Sequence, residues 1–294
     1  MTPTLSGSIP ALVTPFRDGA VDEEALWRLV DWQVTQGSSA LVPCGTTGEA
    51  ATLSIAEHDH VVALTVKAAA GRVPVIAGCG SNDTRVAIHH VERAAEAGAT
   101  AALVVCPYYN RPGQRGLIAH FTAIAEESPL PVLIYNIPGR TGIDMATATM
   151  AELAAHPRII GVKESTGDIN RISEIRQECG RDFLILSGND YMTLGIIAHG
   201  GHGAISVTAN VAPAQVAAQV NAALDGDFAT ALAWQDQLWP LHQALFADPS
   251  PGPAKYALAL LGHCGAETRL PIPAPSPAAR AMVDAALAHA GLAP

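Results

Sequence analysis

Residues 101–106 read Ala-Ala-Leu-Val-Val-Cys, and Pro-Tyr-Tyr-Asn-Arg-Pro follows at 107–112. An apolar run of that length without polar alternation fits a strand buried on both faces, as in a parallel sheet. It is one of eight such runs. Ser8–Thr14, Ala40–Cys44 and Val73–Ala77 precede it, and Val132–Tyr135, Ile159–Lys163, Phe183–Ser187 and Gly203–Val207 follow.

Helical spacing fills the intervals. Val21 to Gln36 sets Leu26, Leu29 and Val30 on one face, and Asp83 to Gly98 and Gln114 to Glu127 have similar length and period. Ser54 followed by Glu57 predicts a capping box, with Gly71 closing the helix it opens. Eight strand–helix units before residue 225 predict a (β/α)8 TIM barrel, a fold that takes about 250 residues. An open doubly wound sheet would carry a glycine-rich nucleotide fingerprint after its first strand, where this chain has Thr14-Pro15-Phe16-Arg17-Asp18-Gly19. Beyond Asp225 the apolar runs cease. Asp227–Phe246, Pro253–Gly262 and Pro277–Gly291 read as helices between proline-rich turns, so a barrel domain over residues 1–224 and a C-terminal helical region over 225–294 are expected.

Of 294 residues, 49% are hydrophobic and 15% charged, which fits a large core and excludes a disordered chain. A formal net charge of −10 argues against nucleic acid or an anionic membrane as partner. Met1–Pro10 carries no signal-like region, and the alanine-rich stretches break before membrane-spanning length, so a cytoplasmic protein is expected. Five cysteines without a CxxC pair suit free thiols in a reducing compartment. Cys44, Cys79 and Cys106 read as small buried hydrophobes in preference to a thiolate metal site. No metal is expected, because His58/His60 and His89/His90 are spaced so that neither pair shares a helix face. HExxH and GxSxG motifs are also absent.

In a barrel of this kind the chemistry gathers at the C-terminal strand ends. There Gly45-Thr46-Thr47-Gly48-Glu49 offers amides and hydroxyls that suit a carboxylate, and equally a plain turn. Tyr135 ends the fifth strand, where it can shuttle protons or sit half-buried at the rim, and Arg140 five residues on can fork onto a carboxylate. Lys163 ends the sixth strand. Only three of the 17 basic residues are lysines (Lys67, Lys163 and Lys255), and an amine can attack a carbonyl where a guanidinium cannot. On the residue alone, Lys163 is either that nucleophile or a structural ion-pair partner.

GTTGEA at 45–50, PYYNRP at 107–112, YNIPGRTG at 135–142 and GVKEST at 161–166 together resemble the dihydrodipicolinate synthase family, Schiff-base aldolases of the N-acetylneuraminate lyase superfamily. LSGND at 186–190, GGHGAISVTANVAP at 200–213 and TRLP at 268–271 extend the resemblance along essentially the whole chain. Each motif is weak alone; four in order at strand ends are specific. The resemblance implies a lyase that needs no cofactor and condenses pyruvate with L-aspartate 4-semialdehyde on the route to diaminopimelate and lysine. It implies Lys163 as the Schiff-base residue and Thr46, Tyr135 and Tyr109 as a proton relay. Tyr109 would reach in from a neighbouring subunit of a homotetramer built as a dimer of dimers. Thr46 and Thr47 would hold one carboxylate and Arg140 the other, with Gly188 and Ile205 lining the pyruvate site.

Two rivals stand beside this reading: another pyruvate aldolase of the superfamily acting on a sugar, and a silent barrel that binds a keto acid. The resemblance also implies feedback control, since many relatives bind lysine in an interface cleft. His58, Asn82 and Tyr108 match that cleft, whereas Ala50, Ile55 and Val86 replace its serine, one histidine and its glutamate. Weak or absent inhibition by lysine is expected, unless Asp83 or Glu49 substitutes for the missing acid.

Overall fold

The computed structural model describes residues 5–292. Its strands are β1 (Gly7–Pro10), β2 (Phe16–Arg17), β3 (Ala20–Val21), β4 (Ile76–Gly78), β5 (Ala101–Val105), β6 (Val132–Asn136), β7 (Ile159–Glu164), β8 (Leu184–Ser187) and β9 (Gly203–Ser206). The helices are α1 (Glu23–Thr35), α2 (Ile55–Ala69), α3 (Thr84–Glu96), α4 (Gly113–Glu127), α5 (Pro138–Thr141), α6 (Thr147–Ala154), α7 (Asn170–Cys179), α8 (Thr193–Ala198), α9 (Pro213–Leu224), α10 (Phe228–Ala244), α11 (Gly252–Leu260) and α12 (Pro277–His289). β2 and β3 make a small hairpin, and the others form one sheet in the order β1-β9-β8-β7-β6-β5-β4, parallel throughout.

The expected strand at Ala40–Cys44 is reduced to single bridges at Leu41 and Val42, yet it closes the ring. Val42 N donates to Pro10 O (3.0 Å) and Leu12 N to Val42 O (2.9 Å) on one side. On the other side Leu41 N donates to Pro74 O (3.0 Å), Ile76 N to Leu41 O (2.8 Å) and Gly78 N to Pro43 O (2.9 Å). Pro43 and Pro74 lack the N–H a longer ladder needs, and Cys44 leaves the extended region at φ 55°. The result is the eight-membered barrel.

Side chains alternate between two layers. Ile9, Val42, Ile76, Leu103, Leu133, Leu186 and Ile205 fill the barrel interior. Val104, Ile134, Val162 and Ile185 from the opposite faces pack against Leu117 and Phe121 of α4 and Ile172 of α7. That two-sided burial is why the strands read as continuous apolar runs. The Ser54–Glu57 capping box is present at α2, but Ala70 rather than Gly71 takes the first left-handed position after it, with φ 52°. Both residues are left-handed, so Gly71 is the second of two such positions.

The helices after residue 224 do more than cover the barrel. Lys255 of α11 is fully buried, pairs with Glu49 at 2.6 Å and donates to Glu267 O at 2.7 Å. Arg269 donates its amide to Glu49 (2.9 Å) and its guanidinium to Thr52 O (2.9 Å) and Glu57. The Arg269 guanidinium holds the Glu57 carboxyl down at about 2. The Phe16 ring lies 4.0 Å from Lys255 Nζ and 4.3 Å from the Arg269 guanidinium. Breaking a buried ion pair from one side costs about 3–5 kcal/mol, so the C-terminal helices clamp the loop that carries Thr46 and Thr47. No helix among the described residues is long and apolar enough to cross a membrane.

Candidate active site

A bulge between β6 and β7 fixes the central pair. Val132 pairs with Ile159 but Leu133 pairs with Gly161, leaving Ile160 as the extra residue. From there Tyr135 lies opposite Lys163, and Asn136 opposite Glu164. Gly161 is required at the shift, because a Cβ there would stand 2.5 Å from Leu184 Cβ and O. Lys163 and Tyr135 are both 6% exposed, with the Lys163 Nζ 4.2 Å from the centre of the tyrosine ring. Among the described residues Lys163 has no ion-pair partner; Glu164 on the other face pairs with Arg171 at 3.1 Å, and Glu49 with Lys255. Lys163 therefore has no ion pair within its own chain among the described residues. Gly188 abuts it, since a Cβ there would meet Ser165 Oγ at 1.8 Å and Lys163 Cε at 3.0 Å. Ile205, 1% exposed, lies in the same interior layer.

Tyr135 is also part of the wall of a cavity of about 280 Å³, with Thr46, Tyr108 and Arg140 among its other lining residues. Small-molecule sites usually span about 300–1,000 Å³, so the cavity suits a short substrate. The Gly45–Glu49 loop turns tightly: Gly48 N donates to Gly45 O (3.1 Å) and Glu49 N to Thr46 O (3.1 Å). A Cβ at Gly48 would stand 3.0 Å from both Cys44 N and Leu12 O. The Gly48 and Glu49 amides thus serve the turn itself, while those of Thr46 and Thr47 have no acceptor among the described residues. Thr46 is exposed to the cavity and Thr47 is buried beside it. Arg140, exposed on the single-turn α5, is the one cation among the lining residues. A local cation of this kind is what the net charge of −10 makes necessary for an anionic substrate.

Thr46, Tyr135 and Arg140 are therefore gathered around one cavity, with Lys163 and Gly188 adjoining through Tyr135. Tyr109 is not. It is 91% exposed at φ 69°, outside the cavity, and Tyr108 lines it instead.

Behind the central pair lies a polar network that the motifs did not reveal. Asn136 donates to Asp144 (2.8 Å) and Glu164 (3.2 Å), Arg171 donates to Glu164 (3.1 Å) and Met145 O, and Asn136 accepts from Met145 N at 3.1 Å. These residues lock the alternate positions of β6 and β7, and so the direction in which Tyr135 and Lys163 point. All five cysteines are free. Burial pushes the Cys106 thiol up to about 12 and those of Cys44 and Cys79 well above their ordinary value, so all three stay protonated. Spacing within one helix could not reveal that α2 and α3 bring His58, Asp59 and His90 together.

The pattern of the dihydrodipicolinate synthetase family matches residues 4–290. The 4-hydroxy-tetrahydrodipicolinate synthase of Rhizorhabdus wittichii is 60% identical over 289 residues, covering 98% of this chain and 99% of that protein. The crystal structure of dihydrodipicolinate synthase from Aquifex aeolicus superposes with a TM-score of 0.97 at 45% identity, covering 98% of this chain and 99% of that one. The chloride-inhibited enzyme of Acinetobacter baumannii, solved with pyruvate, superposes with a TM-score of 0.96 at 41% identity, covering 98% and 100% of the two chains. Likeness of this degree over nearly the full length of both partners has one meaning: the chain belongs to the dihydrodipicolinate synthetase family.

Proposed function

We propose that this chain is a cytoplasmic lyase that condenses pyruvate with L-aspartate 4-semialdehyde to give 4-hydroxy-tetrahydrodipicolinate, in lysine and diaminopimelate biosynthesis. The observation that carries the reading is Lys163: a buried amine with no counter-ion among the described residues, 4.2 Å from the ring of a tyrosine that walls the cavity. The neutral amine adds to the pyruvate carbonyl carbon, and the carbinolamine loses water to leave a protonated imine. That imine draws electrons from the adjacent methyl, which gives up a proton to become an enamine. The enamine carbon bonds to the aldehyde carbon of the second substrate, whose oxygen takes up a proton. The substrate's own amine then displaces Lys163 and closes the ring. The protonated imine serves as the electron sink: the pair released from the methyl group ends in the new carbon–carbon bond, and Lys163 leaves as the free amine, so no cofactor is needed.

In this reading Tyr135 moves protons at the imine and Thr46 hands them on, with Tyr109 of a neighbouring subunit as third member of the relay. Thr46 and Thr47 hold the pyruvate carboxylate, Arg140 holds that of the semialdehyde, and Gly188 and Ile205 shape the pyruvate pocket. A homotetramer, a dimer of dimers, supplies the neighbour. The barrel domain takes residues 1–224 and the C-terminal region 225–294, whose described part, to residue 292, is helical and braces the Thr46 loop. Purified protein should consume pyruvate with L-aspartate 4-semialdehyde far faster than pyruvate with sugar aldehydes; the reverse preference would overturn the substrate assignment.

Inhibition by lysine should be weak or absent. Val86, at the position where the resemblance implies a glutamate for the effector's ammonium, lines a hollow with Ile55, Asp83, Arg85 and His89. Of the two substitute acids, Glu49 lies outside the hollow and Asp83, which lines it, already serves as a helix cap. Asp83 accepts from Arg85 N at 2.9 Å as cap of α3, and Glu49 is paired with Lys255. Loss of one hydrogen bond to a charged group costs about 1.5–3 kcal/mol, a tenfold to hundredfold loss of affinity. A lysine inhibition curve checks this: strong inhibition at micromolar lysine would refute it, and Val86→Glu should sharpen whatever inhibition exists.

A further inference from the structure

Outside the cavity, α2 and α3 press three polar side chains against one another without a hydrogen bond among their facing atoms. His58 is 4% exposed, and its Nε2 lies 2.7 Å from Gly78 O. A carbonyl only accepts, so Nε2 carries the proton and donates. The ring's other nitrogen, Nδ1, is buried and has no hydrogen-bond partner among the described residues. That atom lies 3.6 Å from Asp59 Oδ1, and His90 Nδ1 lies 3.8 Å from the same oxygen. All three atoms are buried and lack a hydrogen-bond partner. Arg93 Nε (3.4 Å) and His89 Nε2 (3.7 Å) face the other Asp59 oxygen, which leaves Oδ1 uncompensated. Buried polar atoms left without a partner are costly, and a cation held between these three would satisfy all of them at once.

We propose that His58 Nδ1, Asp59 Oδ1 and His90 Nδ1 form a binding site for a zinc-class divalent ion, separate from the catalytic cavity. Two imidazoles and one carboxylate are a known zinc donor set, with water in the fourth position. The three donor atoms lie within 4.8 Å of one another. Tetrahedral zinc with bonds of about 2.0–2.1 Å needs its ligands about 3.3 Å apart, close to the 3.6 and 3.8 Å that separate the two histidine nitrogens from Asp59 Oδ1. The Gly78 carbonyl behind His58 is the outer partner that ligating histidines ordinarily have, and it fixes the required tautomer. His89 joins the cluster to the solvent-open hollow at Val86, which gives the ion a way in. Gly78 itself lines the substrate cavity, so an ion here stiffens the cavity from behind without touching substrate.

The test uses the full chain, stripped with chelator and titrated with zinc, with cobalt as spectroscopic probe. One equivalent of zinc should bind per chain, and bound cobalt should show the visible absorption of a four-coordinate ion with nitrogen and oxygen donors. His90→Gln and Asp59→Asn, checked for fold by circular dichroism, should each lose at least the 10–100-fold in affinity that an outer partner alone is worth, on an order-of-magnitude basis. If one variant does not fold, the other carries the comparison. The proposal is overturned if the parent chain takes up no stoichiometric metal, if folded variants bind as the parent does, or if the cobalt spectrum carries a thiolate band.

Discussion

Borohydride added together with pyruvate will leave a reduced pyruvate adduct on Lys163 and on neither Lys67 nor Lys255. Lys163→Ala will abolish the adduct and lower kcat by on the order of 10⁴–10⁶-fold, the scale of losing a covalent nucleophile. The three lysines of the chain differ in what surrounds them. Lys67 is exposed in the last turn of α2 and is not among the residues that line the cavity. Lys255 is the deceptive one. Burial lowers its pKa, a signature that often marks a reactive amine, while Glu49 pulls it back up. Yet its Nζ is held at 2.6 Å by Glu49 and at 2.7 Å by Glu267 O, with no exposed surface. Lys163 alone combines burial, freedom from a counter-ion among the described residues, and a shared wall with the cavity. Peptide mapping decides: an adduct on Lys255, or none on any lysine, would remove the Schiff-base mechanism.

The barrel was legible because parallel strands buried on both faces leave an unmistakable trace in composition, and Leu103, Val104 and Val105 need no context to be read. The weak strand at 40–44 looked like its siblings, because a missing N–H at Pro43 and Pro74 alters pairing and not hydropathy. Lys163 and Tyr135 could be singled out as strand-end residues. That they stand side by side depended on the bulge at Ile160, a register effect that no local pattern encodes. The clamp by Lys255 and Arg269 on Glu49 joins residues more than 200 positions apart (Arg269 N to Glu49, a separation of 220), and the His58–Asp59–His90 cluster joins two helices. Long-range polar contacts of this kind lie beyond sequence periodicity, because hydrophobic period reports which face is buried and not what polar group it meets. The Gly78 carbonyl that orients His58 is invisible in sequence for the same reason: any residue supplies a carbonyl.

Tyr109→Phe should cut kcat by about 10²–10⁴-fold, the usual weight of a general acid–base group, and leave the fold unchanged. At 91% exposure its hydroxyl has nothing to lose within its own chain. Its backbone is the telling feature. Tyr109 at φ 69° and Arg111 at φ 44° both occupy the left-handed region, which costs an L-residue about 1–2 kcal/mol each. Asn110 anchors the loop by donating to Asn82 O at 2.8 Å, so the strain is held in place and aims a large aromatic ring into open space. Strained functional loops persist where the surrounding structure over-determines them, and a second subunit is the surrounding structure that the proposed assembly supplies. Mixing Tyr109→Phe chains with Lys163→Ala chains separates the two possibilities. In a mixed dimer the Tyr109→Phe chain contributes an intact Lys163 and receives an intact Tyr109 from its partner, so one of the two sites is complete and activity returns. If Tyr109 serves its own chain, both sites stay defective. Recovery of activity in step with subunit exchange, followed by mass spectrometry of tagged chains, is the expected outcome; full exchange without recovery would place the third relay member elsewhere, with Tyr108 at the cavity wall the next residue to substitute.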